Sequence, residues 1–216
     1  MDVTVEEARN LVADQSLWPR VRDFLWDFAP QVHPSWLEDL FSSDFAVLRD
    51  MKSPRVKRFV LDSLGVEPCF HTFPKDDGSR LLLLGGDTLM SVAKWLGALA
   101  CAESLRHVTS GAVVRELKSA LPGIYPEVFG YTMYFKDLVS RGAAESRSED
   151  VVAEVVENGY GLLFSVFSDL PSSLAARLKF KLPRNLRVFA SPREIKLSTV
   201  LKLLKLKFPE AYSLCC

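Results

Sequence analysis

The stretch from Arg80 to Leu121, RLLLLGGDTLMSVAKWLGALACAESLRHVTSGAVVRELKSAL, decides how the rest of the chain is read. Its first part is the most apolar segment of the protein. Only Asp87 and Lys94 interrupt it before Glu103 and Arg106 close it. That pattern predicts a long helix over about 80–106, buried on most of its circumference. A shorter amphipathic helix follows from Ser110 and stops at Pro122-Gly123. Residues 81–102 are long enough to cross a bilayer. A central Asp and a central Lys each cost about 3 kcal/mol there and no aromatic belt flanks them, so we read a core helix.

Toward the N-terminus the pattern is helical throughout. Thr4 and Glu7 form a capping box for a helix to about Asp14. Trp18-Pro19 opens a second, with Val21, Phe24, Leu25 and Phe28 as its apolar face, ending before Pro30. Ser35 and Glu38 open a third, to about Met51, burying Leu37, Leu40, Phe41, Phe45 and Leu48. Ser53-Pro54 opens a fourth, burying Val56, Phe59, Val60 and Leu64, with Gly65 placed to end it. Residues 66–79 have no helical period and read as a loop.

Toward the C-terminus, Pro126 opens a helix to about Ser140, and residues 142–149, GAAESRSE, are the best linker. Ser148 caps a helix to about 169 that bends at Gly159 and Gly161. Two strands about an Asn-Gly turn are the alternative there. Residues 177–183, RLKFKLP, alternate basic and apolar, which is strand spacing with Leu178, Phe180 and Leu182 on one side. Ser191-Pro192-Arg193-Glu194 starts the last helix. Its stripe is Leu197, Val200, Leu201, Leu204 and Phe208, flanked by Lys196, Lys202, Lys205 and Lys207. The fold class expected is mainly α with at most minor β. One compact multi-helix domain over 1–216 surrounds the buried helix at about 80–106, with a possible internal linker at 142–149.

Charge is balanced overall, with 27 basic and 27 acidic residues, so no global field argues for nucleic acid or membrane. The balance hides a division. From Arg177 onward there are ten basic residues and two acidic ones, about +8, and the remainder is −8. Such a split marks an interaction surface, or a basic tail packed on an acidic body. The cysteines, Cys69, Cys101, Cys215 and Cys216, are few for a disulfide scaffold and fit a reducing compartment, with Cys101 a small buried apolar residue. The acidic N-terminus has no apolar run of the kind a secretory signal needs.

Catalytic patterns fail one by one. Ser91-x-x-Lys94 lacks the partner motifs that a Ser–Lys hydrolase needs and lies in the core helix. Cys69-x-His71 offers two metal ligands where zinc takes three or four, and Asp76-Asp77-Gly78 is more simply a turn than a metal loop. Neither phosphate-binding glycine motif is present, which also weakens any analogy of Cys215-Cys216 to doubly prenylated GTPase ends. The basic C-terminal segment could meet phosphates or an anionic bilayer, but it matches no nucleic-acid reader, and its Leu stripe reads as core. No catalytic residue, cofactor or metal is expected.

Three stretches carry a resemblance. Phe28-x-Pro30…His33-Pro34-x-x-Leu37 is similar to an N-terminal signature, with Val32 where that signature has an aromatic. The apolar pair Leu81–Leu121 lies at the matching distance downstream. The helix at 148–169 is followed by Arg177-Leu178-x-x-x-Leu182-Pro183. Together they resemble the SctK/YscK/OrgA family of type III secretion system sorting-platform accessory proteins. The resemblance implies a helical, non-catalytic adaptor, cytoplasmic and peripheral at the cytoplasmic face of the inner membrane. Its implied partners are the cytoplasmic domain of the SctD-type ring protein and the SctQ-type pod protein, and through the pod SctL and the ATPase. It implies no cofactor, small-molecule substrate or nucleic acid. In that reading Phe28, Pro30, His33, Pro34 and Leu37 are structural, the His33 ring satisfying backbone groups freed by the prolines. Arg177, Lys179, Lys181, Arg184 and Arg187 are the residues expected to meet an acidic partner surface. The alternative is a nucleic-acid or anionic-membrane binder acting through the basic C-terminal segment.

Overall fold

The computed structural model describes residues 15–41, 53–66, 77–139, 150–168, 170–186 and 194–215, and helix is the only regular structure among them. The mainly α expectation holds. The helix expected to Asp14, the 142–149 linker and the Ser191–Arg193 helix start lie outside the described residues. The chain divides into two compact units. One comprises Met1–Gly86, Asp169–Asn185 and Pro209–Cys216, and the other Asp87–Ser168 and Leu186–Phe208.

In the first unit, Trp18–Leu25 is a helix with Val21, Phe24 and Leu25 inward. The Phe28 ring sits edge-on to Phe24 at 5.8 Å. Between Pro30 and Leu37 the backbone makes two short 3-10 turns, Ala29–Gln31 and Pro34–Trp36, before the helical turn Glu38–Phe41. The helix Pro54–Ser63 packs on the first of these. It buries Val60, but Phe59 is 57% exposed, contrary to the inward position its spacing gave it. Its end is a Schellman motif. Val66 N–H donates to Leu61 O at 2.8 Å, Gly65 N–H donates to Asp62 O, and Gly65 takes a φ of 65°.

The long helix expected at about 80–106 is built in pieces. A turn over Asp77–Arg80 and a 3-10 turn over Leu81–Leu83 come first, then an extended Leu84. The helix Gly86–Ala100 follows, stepping at Cys101 into Ala102–Arg106. The step at Cys101 is slight, since its N–H still donates to Gly97 O at 2.9 Å. At the break, Leu84–Gly86, the backbone comes close to Lys181. A Cβ on Gly86 would lie 2.5 Å from the Lys181 carbonyl, so the backbone passes there only as glycine.

In the second unit, Gly86–Ala100 beyond its first residue crosses Val151–Ser165 at backbone contact. A Cβ on Gly97 would fall 1.9 Å from Val155 O, and one on Gly159 would fall 2.0 Å from Ala93 O. Val151–Ser165 is one uninterrupted helix with Gly159 and Gly161 buried inside it, which removes the two-strand alternative. Its cap is Asp150, whose carboxylate accepts the Ala153 N–H at 2.8 Å, rather than Ser148. Gly111–Ala120 packs against it. Residues 127–135 form two 3-10 turns, Glu127–Gly130 and Thr132–Phe135, where Pro126 suggested a helix. The helix Leu197–Lys207 begins at Leu197, with residues 194–196 still non-helical. Its inward residues are Val200, Leu203 and Leu204. Near its end, Lys207 Nζ lies 4.1 Å from the Tyr131 ring centre and 4.5 Å from that of Trp95, and it pairs with Glu127. Burial alone would lower the Lys207 pKa, but the carboxylate of Glu127 and the Tyr131 hydroxyl outweigh it and raise it.

Candidate functional site

Two of the signature stretches meet within the first unit, although about 150 residues separate them in sequence. The His33 N–H donates to Phe180 O at 2.8 Å. The Trp36 indole N–H donates to Leu182 O at 2.8 Å, and its ring stands edge-on to Phe180 at 4.8 Å. The Ser35 hydroxyl accepts the Arg184 N–H at 2.9 Å. Ser35 therefore does not cap toward Glu38 as its spacing suggested. His33 does the local capping: its Nδ1 accepts the Ser35 N–H at 3.2 Å, at the start of the Pro34–Trp36 turn. Phe28, Val32 and Leu37 are buried beneath this junction.

The segment on the other side of the junction is helical. Residues 172–180 form the helix Ser172–Phe180, not a strand. Leu178, Phe180 and Leu182 are all buried, but so are Arg177 and Lys181, each 1% exposed. Arg177 donates from Nε to Phe24 O and from Nη2 to Leu25 O, both at 3.1 Å, and its guanidinium lies 5.6 Å from the Phe28 ring centre. It thus closes the C-terminal end of Trp18–Leu25, where helix carbonyls lack intrahelical partners. Lys181 Nζ donates to Leu82 O at 2.6 Å and Leu84 O at 3.0 Å, 4.8 Å from the Phe24 ring centre. Burial pushes its pKa down to about 7. These two residues belong to the interior. The expectation that they face an acidic partner is corrected by their burial, because an ionic group enclosed by carbonyls and rings has no face to offer.

Lys179 and Arg184 are exposed and both lie by one ring: Lys179 Nζ is 5.3 Å and the Arg184 guanidinium carbon 5.8 Å from the Trp36 ring centre. Arg187 lies outside the described residues. The candidate site is therefore the Trp36 ring with two cations beside it, held by the signature junction. Trp36 was missed by the sequence reading. The signal was an aromatic between Pro34 and Leu37, in a stretch already forced out of helix by two prolines.

The other motifs are absorbed by the fold. Ser91 Oγ donates to Asp87 O, and Lys94 Nζ donates to Ala120 O, so neither is set toward the other. Cys101 is buried beside Asn158, whose side-chain amide lies 3.3 Å from its sulfur. Cys215 is fully buried in the helix Pro209–Cys215, and Cys216 lies outside the described residues. Cys69 and His71 lie outside the described residues. Among the described residues, no three His, Cys, Asp or Glu side chains converge as metal ligands, and no helix is long and apolar enough to cross a membrane.

What the junction defines is a helical protein whose buried polar groups bind backbone and rings, and whose exposed cations Lys179 and Arg184 lie by an aromatic ring. Residues 22–215 match the family described as YOP proteins translocation protein K (YscK). The chain belongs to this family and is a type III secretion protein. No curated protein and no solved structure matches it.

Proposed function

We propose that the protein is a non-catalytic adaptor of the secretion apparatus. It works in the cytoplasm against the inner membrane and links the cytoplasmic domain of an SctD-type ring protein to an SctQ-type pod, and so to SctL and the ATPase. The observation that carries this reading is the family match over 22–215. Trp36 with the two cations beside it supports it, because aromatic and Arg side chains are the usual anchors of protein interfaces. Lys179 and Arg184 remain of the basic set as the groups that meet acidic partner residues. The competing reading, a nucleic-acid or membrane binder, is weakened by the burial of Arg177, Lys181 and the Leu203-Leu204 stripe.

The test is a titration of the purified chain with the ring domain and with the pod protein at two salt concentrations, with DNA and anionic vesicles as controls. Saturable binding to either apparatus protein supports the adaptor. Binding to the controls alone, collapsing in salt, overturns it. The double variant Lys179→Glu/Arg184→Glu is expected to weaken the apparatus interaction by about tenfold, the scale of losing a central anchor. Unchanged affinities would remove this face from the proposal.

A further inference from the structure

Four large apolar side chains stand out as exposed: Phe59, Met133, Tyr134 and Leu206, the last three at 75%, 57% and 42%. Those three all belong to the second unit. Lys202 brings their elements together, its Nζ donating to Tyr134 O at 2.7 Å and lying 5.5 Å from the Phe135 ring centre. Leu206 follows Lys202 by four residues on the same helix, so the two share a face one turn apart. Tyr134 continues into Tyr131 at 6.2 Å between ring centres, and Tyr131 stands edge-on to Trp95 at 5.6 Å. The Lys207 seat clamps that end. The apolar groups are thus displayed on braced elements, which lowers the ordering penalty of binding.

We propose that Met133, Tyr134, Leu206 and Lys202 form a second docking face, which takes an acidic protein segment bearing apolar anchors. The inference rests on the adaptor reading, since an adaptor needs two faces and the Trp36 face is only one. Charge selects the occupant. Lys202 and Lys205 are exposed along the same helix, Lys136 is exposed on the following turn beside Asp137, and Glu127 is already engaged by Lys207. A second copy of the chain is disfavoured, because a twofold contact would set this lysine-bearing face against an identical one. A bilayer is disfavoured because the apolar stripe of Leu197–Lys207 is turned inward at Val200, Leu203 and Leu204, leaving Leu206 without companions on that helix.

The experiment uses the full chain and three variants: Met133→Glu/Leu206→Glu, the milder Met133→Ala/Leu206→Ala, and Lys179→Glu/Arg184→Glu. Each is titrated calorimetrically against the ring-protein cytoplasmic domain and against the pod protein. Phosphatidylcholine–phosphatidylserine vesicles and sedimentation of the chain alone run beside them, and circular dichroism monitors folding. The expected result is that the Met133/Leu206 variants lose about tenfold or more in affinity for one apparatus protein and keep the other, with the alanine pair carrying the result if the glutamate pair misfolds. The proposal is overturned if both affinities stay within about twofold of the parent. It is equally overturned if the substitutions abolish vesicle binding or self-association while apparatus binding is untouched. If the parent chain binds neither apparatus protein, the adaptor reading itself fails and this face falls with it. Parent binding with unaffected variants sinks the second face alone.

Discussion

At the scale of single residues, the unusual feature is a pair of buried cations one helical turn apart. Arg177 holds the last carbonyls of Trp18–Leu25. Arg177→Leu keeps the apolar contact with Phe28 but removes the two charged donors that Arg177 supplies to the Phe24 and Leu25 carbonyls. Urea unfolding should show a loss of about 3 kcal/mol, the scale of charged hydrogen bonds removed from one side only. Lys181 gives a pH signature. Its two carbonyl partners and the Phe24 ring favour the ammonium, burial opposes it, and burial wins, lowering the pKa from 10.5 to about 7. Between those values the unfolded chain holds a proton that the folded protein does not, so stability rises with pH across that window. Below about 7 the ammonium is enclosed and the full desolvation penalty is present. Wild-type stability measured by denaturant titration should therefore climb from pH 7 to 9 relative to Lys181→Met. Parallel pH profiles for the two proteins would refute this account.

At the scale of elements, the same two residues explain what the sequence hid. Leu174, Arg177, Leu178 and Lys181 are spaced i, i+3, i+4, i+7, a helical stripe in which half the members are basic. Counting only the apolar members left an alternation that looked like a strand. Where the buried set was purely apolar, as in Trp18–Leu25 and Gly86–Ala100, helix and inward face were both legible. The break at Leu84–Gly86 was not, because that segment packs on Lys181, whose ammonium holds the Leu82 and Leu84 carbonyls and whose own carbonyl faces Gly86, about a hundred residues away. Of the candidate site, the signature residues could be read, but not that two of the stretches meet. Such a meeting follows from tertiary contacts that no local pattern encodes. Gly159 of Val151–Ser165, where the sequence suggests a bend, is instead a packing device. Gly159→Ala or Gly97→Ala drives a methyl group into a facing carbonyl and should destabilise by about 3 kcal/mol in a urea melt. Gly130, with open space around its would-be Cβ, should accept alanine within about 0.5 kcal/mol.

At the scale of the whole molecule, the formal division of −8 and +8 overstates what a partner meets. Arg177 and Lys181 are enclosed, and Lys207 is paired, with its side chain 13% exposed. Among the described residues of that basic segment, Lys179, Arg184 and Lys202 are exposed beside an aromatic ring. Contacts of that kind fix orientation and accelerate encounter more than they add affinity. Raising salt should slow association with an apparatus partner in stopped-flow mixing while leaving dissociation almost unchanged. Lys179→Glu/Arg184→Glu should flatten that salt response. A dissociation rate that carried the whole salt effect would argue against steering.

The division into units has a consequence for biosynthesis. Neither unit is a continuous run: one needs residues 169–185 and 209–216 to complete what 1–86 began, and the other needs 186–208. On the ribosome, Leu81–Leu84 emerges more than eighty residues ahead of the lysine that will hold its carbonyls. At translation speeds of about 5–20 residues per second, that apolar stretch waits several seconds for its partner. The nascent protein is thus a natural client for a holding chaperone. Synthesis of residues 169–216, rather than of the N-terminal half, is what allows either unit to close.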